Sequence, residues 1–253
     1  MTIRISTSYL FASFAAFVLS GQVAAQDSAA DLVQAALVHG DRPAADAGDD
    51  ARRMPLEVLA FAGIEEGMDI FEMEAGGGWY TEILSRVVGP AGSVTMQSPP
   101  SLDSFVGDEP EQRAARLANV RLSKTNFDEL DAADNSMDMV TWILGPHELW
   151  FQPDENISLG DPDEAFAEIH RILKPGGVFL AIDHVAAPDT GPEVGGTLHR
   201  IRESIITGYA EAAGLTVLRS SSLHLNANDP LDISVFDSSI QGSTSKFVVL
   251  FRK

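Results

Sequence analysis

The chain has 253 residues, of which 45% are hydrophobic, and it carries a formal net charge of −20 with no cysteine. This length and apolar fraction fit one globular domain with a substantial core. The lack of cysteine excludes disulfides, thiolate metal sites and a cysteine nucleophile. The acidic balance argues against nucleic acid or an anionic membrane as a partner, because both attract basic surfaces. No sequence pattern indicates an oligomeric state.

The first 25 residues have the pattern of a secretory signal peptide. Arg4 is the only charged residue before Asp27, an apolar run extends over 9–19, and small residues follow at 23–25. This pattern predicts cleavage after Ala25, with the mature chain in the periplasm or the medium and not inserted in a membrane. We therefore expect a signal peptide over 1–25, a helical lead-in over 26–54 and a single domain over 55–253.

Strand-like and helix-like segments alternate through that domain. Buried-strand patterns are found at 68–73, 93–97, 120–123, 137–144, 178–182, 215–219 and 247–251. Helix patterns are found at 28–39, 55–63, 80–88, 111–117, 163–173 and 198–213. The alternation predicts a three-layer α/β/α fold with a mostly parallel, doubly wound sheet. No convincing helix separates the last two strands, which predicts that the last strand is antiparallel and inserted into the sheet.

The most informative segment is the turn after the first strand, where three glycines at 76–78 lead into a helix. In an open α/β sheet, ligands bind beyond the carboxyl ends of the strands, and glycine allows close approach to the backbone. Glu72 and Glu74 are two residues apart, so they are predicted to share a face. Their mutual repulsion favours a cation between them, unless Glu74 turns out to solvent.

Three segments, in order, resemble the class I S-adenosylmethionine (SAM) methyltransferase superfamily. The pattern Glu72-x-Glu74-x-Gly76-x-Gly78 resembles its first motif, 126–140 its approach to the fourth strand, and 167–177 its junction between helix and fifth strand. The sequence of 76–82, together with those of 183–184 and 199–201, resembles a narrower group of exported, predicted methyltransferases. The resemblance implies a Rossmann-like methyltransferase fold and SAM as cofactor.

The resemblance also implies a set of cofactor-binding residues: Glu72, Glu74, Gly76 and Gly78 near the methionine and ribose, Gln97 at the ribose hydroxyls, Asn126 and Phe127 at the adenine, and Leu144 and Gly145 beside the ligand. This sequence departs from the family at three of these positions. Glu74 replaces a glycine, while Gln97 and Asn126 replace acids. A neutral hydrogen bond in place of a charged one weakens binding by about 1 kcal/mol for each amide.

Three histidines are candidate bases for removing a proton from a methyl acceptor. His147 follows the fourth strand, His184 follows the fifth, and His199 begins the next predicted helix. Imidazole suits this role near neutral pH, and Asp183 is placed to orient one of the rings. Trp79 and Trp150 are candidate ligand walls. No metal site is expected, because the histidines and acids lack the spacing of metal ligands.

Three hypotheses follow from these patterns. The first is an exported SAM-dependent methyltransferase acting on a small-molecule acceptor. The second is a non-catalytic periplasmic ligand-binding protein on the same fold, in which Glu74, Gln97 and Asn126 hold a different ligand. The third is a structural protein in which the glycine turn is only a turn.

Overall fold

A computed structural model describes residues 28–253. The predicted signal peptide at 1–25 lies outside the described residues. Within 28–253, no helix is long and apolar enough to cross a membrane.

The described part of the chain folds into one seven-stranded sheet with helices on both faces. The strands are β1 Asp69–Met73, β2 Ser93–Gln97, β3 Val120–Ser123, β4 Met137–Ile143, β5 Leu173–His184, β6 Thr216–Ser221 and β7 Lys246–Arg252. The helices are α1 at 28–37, α2 Asp50–Arg53, α3 Pro55–Ala62, α4 Trp79–Val88, α5 Asp103–Val106, α6 Glu109–Ala114, α7 Pro162–Ile172, α8 Gly195–Leu198 and α9 Glu203–Ala212. Short 3-10 turns include Ala44–Asp49 and Pro146–Trp150.

The strand order is β3-β2-β1-β4-β5-β7-β6. Pairing is parallel from β3 through β5, and β7 runs antiparallel between β5 and β6. The predicted fold class, including the inserted antiparallel strand, is confirmed. Since β1, β2 and β4 are neighbours and parallel, their carboxyl ends and the loops that follow lie together at one edge of the sheet.

The sheet separates two apolar layers. On one side the buried faces of α7 and α9 pack against β4 and β5 around Trp142, Phe166 and Phe179. On the other side α1, α3 and α4 cover β1 and β2. Helix α4 buries the apolar residues that recur at helical spacing, which are Tyr80, Ile83, Leu84, Val87 and Val88. Helix α1 buries Ala29, Val33 and Ala36.

The helix predicted over 198–213 is two helices with a break, so that prediction was wrong. Helix α8 ends at His199, whose backbone is left-handed with φ of +54°. Arg200 is then fully buried and donates to the carboxylate of Asp229 and to the carbonyls of Val185 and Ile233. A buried guanidinium needs such partners, and continuous helix would carry it away from them. The break therefore fixes the direction of His199.

Candidate functional site

The turn after β1 is held by the side chain and backbone of Gln97. Glu74 adopts a left-handed backbone with φ of +50°, and its N–H donates to Gln97 Oε1 at 2.9 Å. The N–H of Ala75 donates to the Gln97 carbonyl at 2.9 Å. Gly76 also has a positive φ of +55°, and a Cβ built on it would meet no atom within 4 Å. Gln97 thus holds one side of the turn, and the other side is open at Gly76, as a ligand-binding turn requires.

The Glu74 carboxylate is directed by the end of β4. Its Oε2 accepts from the indole N–H of Trp142 at 3.0 Å. A Cβ on Gly145 would collide with both of these groups, so glycine is required where the chain leaves β4. Burial and the negative charge of Glu148 raise the pKa of Glu74 above its ordinary value. Glu74 does not turn out to solvent, and it does not pair with Glu72.

Two cavities meet at Glu74 and Gly76. The first, of about 410 Å³, is lined by charged and aromatic groups that include Asp46, Arg53 and Trp79. The second, of about 300 Å³, is more apolar, with Ser98, Leu102, Phe105, Val106, Phe151 and Phe236 in its wall together with Glu148 and His199. Both volumes lie at the low end of the range of small-molecule sites, which is roughly 300–1,000 Å³.

The residues expected to bind the cofactor divide into two groups. Glu72, Glu74, Gly76 and Leu144 line the first cavity. The others support the turn or lie away from both cavities, and they are Gly78, Gln97, Asn126, Phe127 and Gly145.

Gln97 and Phe127 show why sequence alone misplaces such side chains. The fully buried amide of Gln97 accepts from Glu74 N–H and donates to the Thr125 carbonyl. Phe127 is fully buried with its ring 4.6 Å from that of Trp142. In this structure these two residues therefore support the crevice from inside instead of facing a ligand.

Glu72 is the most deeply buried acid of the first cavity. It is 5% exposed, and its Oε2 accepts from Thr81 Oγ1 at 2.5 Å. Burial is the main cause that raises its pKa to about 7, against the ordinary 4.5. A half-titrated carboxyl group near neutral pH becomes a charged partner when a cationic ligand arrives.

Residues 41–53, which precede α3, cover the first cavity, and the sequence did not predict this role. The indole N–H of Trp79 donates to the Asp46 carbonyl at 2.9 Å, and the guanidinium of Arg53 lies 4.8 Å from the Trp79 ring centre. Arg113 ties the same segment down by pairing with the carboxylates of Asp46 and Glu82. Trp79 thus forms a cavity wall as predicted, whereas Trp150 packs against Tyr209 instead. In the sequence, only the alternation of charges in 41–53 could have indicated this covering role, and such alternation is typical of any solvated loop.

Two of the three predicted histidines lie together at the edge of the second cavity. The Nδ1 of His147 lies 2.8 Å from Asp183 Oδ1, and its Nε2 lies 3.1 Å from His199 Nδ1 and 3.2 Å from Glu148 Oε1. The ring centre of His184 lies 6.2 Å from that of His147, but its Nδ1 lies 2.7 Å from Thr244 Oγ1, outside the cluster, and burial lowers its pKa.

The electrostatics of this histidine cluster follow from its burial and its acids. Burial disfavours a charged His147, but the carboxylates of Asp183 and Glu148 outweigh that effect and raise its pKa to about 10. Hydrogen bonds from His147 and His199 lower the pKa of Glu148 despite burial. The ring of His199 is held between Phe151 and Phe236, at centroid distances of 5.1 and 4.9 Å. A rigid polar cluster therefore faces an otherwise apolar cavity.

The raised pKa of Glu72 has a measurable cost in stability. Below pH 4.5 the carboxyl group is protonated in both states, and as the pH rises toward 7 the unfolded chain releases its proton first. Stability is therefore lost between pH 4.5 and 7. We predict that Glu72→Gln, which cannot ionise, stabilises the chain by about 2 kcal/mol more at pH 8 than at pH 5. Urea unfolding at the two pH values measures this difference.

The control is Glu65→Gln, which neutralises an exposed acid. We expect it to change the free energy of unfolding equally at both pH values. A Glu72→Gln variant whose stabilisation is also independent of pH would contradict the assignment of a raised pKa to Glu72.

Known proteins resemble this chain in sequence and in fold. A family model described as "Methyltransferase domain" matches residues 72–181. The ubiquinone/menaquinone biosynthesis C-methyltransferase UbiE of Psychromonas ingrahamii is 28% identical over 164 residues, which cover 62% of this chain and 61% of that protein. The chain thus matches about three fifths of this relative's length.

Solved structures match a larger share of the chain at lower identity. A SAM-dependent methyltransferase from Aquifex aeolicus has a TM-score of 0.59 and 21% identity, covering 82% of this chain and 94% of its own. The [4+2]-cyclase SpnF also has a TM-score of 0.59, with 16% identity, and the match covers 85% of this chain and 84% of the cyclase. The chain therefore has the fold of the class I SAM-dependent methyltransferases, and residues 72–181 are similar in sequence to that superfamily.

Proposed function

We propose that this chain is an exported methyltransferase that binds SAM across Gly76 and transfers its methyl group to a small molecule in the second cavity. The observation that carries the proposal is the open backbone of Gly76 at the junction of two cavities, beyond the carboxyl end of β1. A glycine in that position allows a ligand to cross from one cavity to the other against the backbone.

The two cavities differ in polarity in the same way as the two halves of SAM. The first cavity offers Arg53 to a carboxylate, and Glu72 to an ammonium or sulfonium group. The second offers the hydroxyl of Ser98 and the apolar side chains of Leu102 and Phe105 to an adenosine. The chain thus has partners for each charge of the cofactor, although the family's acids at positions 97 and 126 are amides here.

The acceptor is proposed to lie between the cofactor and the histidine cluster. When bound, SAM supplies the methyl group. The chain aligns the two reactants and removes a proton from the acceptor. His199 faces the second cavity and contacts His147, which Asp183 orients from behind. The raised pKa of His147 keeps that ring protonated near neutral pH, so His199 is the proposed proton acceptor, with the carboxylate of Glu148 beside it to balance the positive charge.

The fold alone does not fix the reaction, since a [4+2]-cyclase is among the structural neighbours. The relatives named UbiE are C-methyltransferases of quinone biosynthesis. For this chain we propose only the class, a small molecule that fits between the cofactor and the histidine cluster. A ligand-binding protein without catalysis is the alternative outcome of the experiments below.

Export is the second part of the proposal, and it rests on residues 1–25. SAM is charged and does not cross membranes freely, so an exported enzyme depends on a supply of the cofactor in its compartment. We predict that mass spectrometry of the chain recovered from the periplasm of its host finds Gln26 as the first residue. Recovery only from the cytosol with residues 1–25 intact would contradict export.

The cofactor site is tested by filling the space above the turn. We predict that the full chain binds S-adenosylhomocysteine with micromolar affinity in calorimetric titration, and that Gly76→Leu weakens this binding at least 100-fold. The added side chain occupies the open space against which the ligand would lie. A loss of this size is about 2.7 kcal/mol of binding free energy.

The matched control is Gly176→Leu. Gly176 has a φ of +83°, and a Cβ built on it would likewise meet no atom within 4 Å. It lies near the amino end of β5, whereas the crevice lies beyond the carboxyl ends of the parallel strands. Both variants thus carry backbone strain, and only the first fills the crevice. Equal affinities in the two folded variants would remove the cofactor site from Gly76.

A further inference from the structure

We propose that His147, Glu148 and His199 form a binding site for one divalent transition-metal ion, with Zn²⁺ as the best-fitting ion. These residues were considered above only as parts of a proton-accepting cluster. The metal proposal rests on their own geometry and does not depend on SAM binding.

The first support is the spacing of the three ligand atoms. His147 Nε2, Glu148 Oε1 and His199 Nδ1 form a nearly equilateral triangle with sides of 3.2, 3.1 and 3.1 Å. Around a tetrahedral zinc ion with ligands at about 2.0–2.1 Å, neighbouring ligand atoms are roughly 3.3 Å apart. Three atoms of this kind can therefore share one ion without a large movement.

The second support is the proton arrangement. A carboxylate can only accept, so His147 donates its Nδ1–H to Asp183, and an ion that replaces the Nε2 proton would meet a lone pair directed at Glu148 and His199. Asp183 is itself fixed, because its Oδ2 accepts from the backbone N–H of His147 at 2.7 Å. A carboxylate behind a ligating histidine is the usual way in which proteins orient metal ligands.

The third support is an unpaired buried atom. Glu148 is 9% exposed, and its Oε2 has no hydrogen-bond partner among the described residues. A buried carboxylate oxygen without a partner is costly, and a cation held by both oxygens of Glu148 would remove that cost. The fully buried carboxylate of Asp183 lies beside His147, so the surroundings of the cluster favour a cation.

The site has the form of a catalytic metal site, because it leaves a coordination position open. Glu148 and His199 both line the second cavity, so the free side of the ion would face the space proposed for the acceptor. His199 is held in this place by a left-handed backbone and by the rings of Phe151 and Phe236. A heteroatom that binds such an ion loses its proton more easily.

The experiment is a titration of the full chain, without a histidine tag and after treatment with a chelator, with ZnCl₂ alone. We expect one Zn²⁺ per chain with micromolar or tighter affinity, and a Co²⁺-loaded sample with visible absorption bands typical of four or five ligands. Glu148→Gln and His199→Asn should each weaken binding at least 100-fold, whereas Asp183→Asn should weaken it about 10- to 100-fold. Asparagine is chosen for position 199 because it tolerates the left-handed backbone.

The control is His170→Asn, which removes a half-buried histidine on α7, distant in the fold from the cluster. It should bind zinc as the unmodified chain does. The proposal is overturned if the unmodified chain, with a folded circular dichroism spectrum, binds less than one zinc ion or binds only at millimolar concentration. It is equally overturned if folded His199→Asn retains the unmodified affinity, since the ion would then lie elsewhere.

Discussion

The left-handed backbone of Glu74 is the constraint on which the site depends. A non-glycine residue in this conformation is strained by about 1–2 kcal/mol, and the strain persists only where surrounding groups determine it. Here the amide of Gln97 receives the Glu74 N–H, the indole of Trp142 donates to its carboxylate, and the absent side chain of Gly145 leaves room for both. These contacts set the end of β1, and with it the position of Gly76 between the two cavities.

The same constraint links the cofactor side of the crevice to the histidine cluster. The Glu74 carboxylate lines both cavities, and its charge interacts with those of Glu148 and His147. A change of charge at the cluster, by a proton or by a metal ion, therefore changes the cost of ionising Glu74. Because Glu74 occupies a glycine position of the family's first motif, this coupling is a property of the present sequence and not of the fold in general.

The fold could be predicted from the sequence. Regular alternation of apolar strands and amphipathic helices, such as the stripe of α4, depends on local periodicity, which can be read residue by residue. The inward turn of Gln97, the left-handed break at His199 and the cover that Asp46 forms with Trp79 depend on partners distant in the chain. Likewise, the triangle of His147, Glu148 and His199 has no ligand spacing in sequence, because the fold alone brings position 199 beside 147.

A crystal structure of the full chain with S-adenosylhomocysteine is the most direct test of whether the crevice over Gly76 binds SAM. We predict that the ligand crosses Gly76, with its amino-acid end beside Glu72 and Arg53 and its adenosine against Leu102. The contacts of Gln97 with the turn should be unchanged. Density for the ligand in another place, or a saturated crystal in which both cavities contain only water, would contradict a SAM site at Gly76.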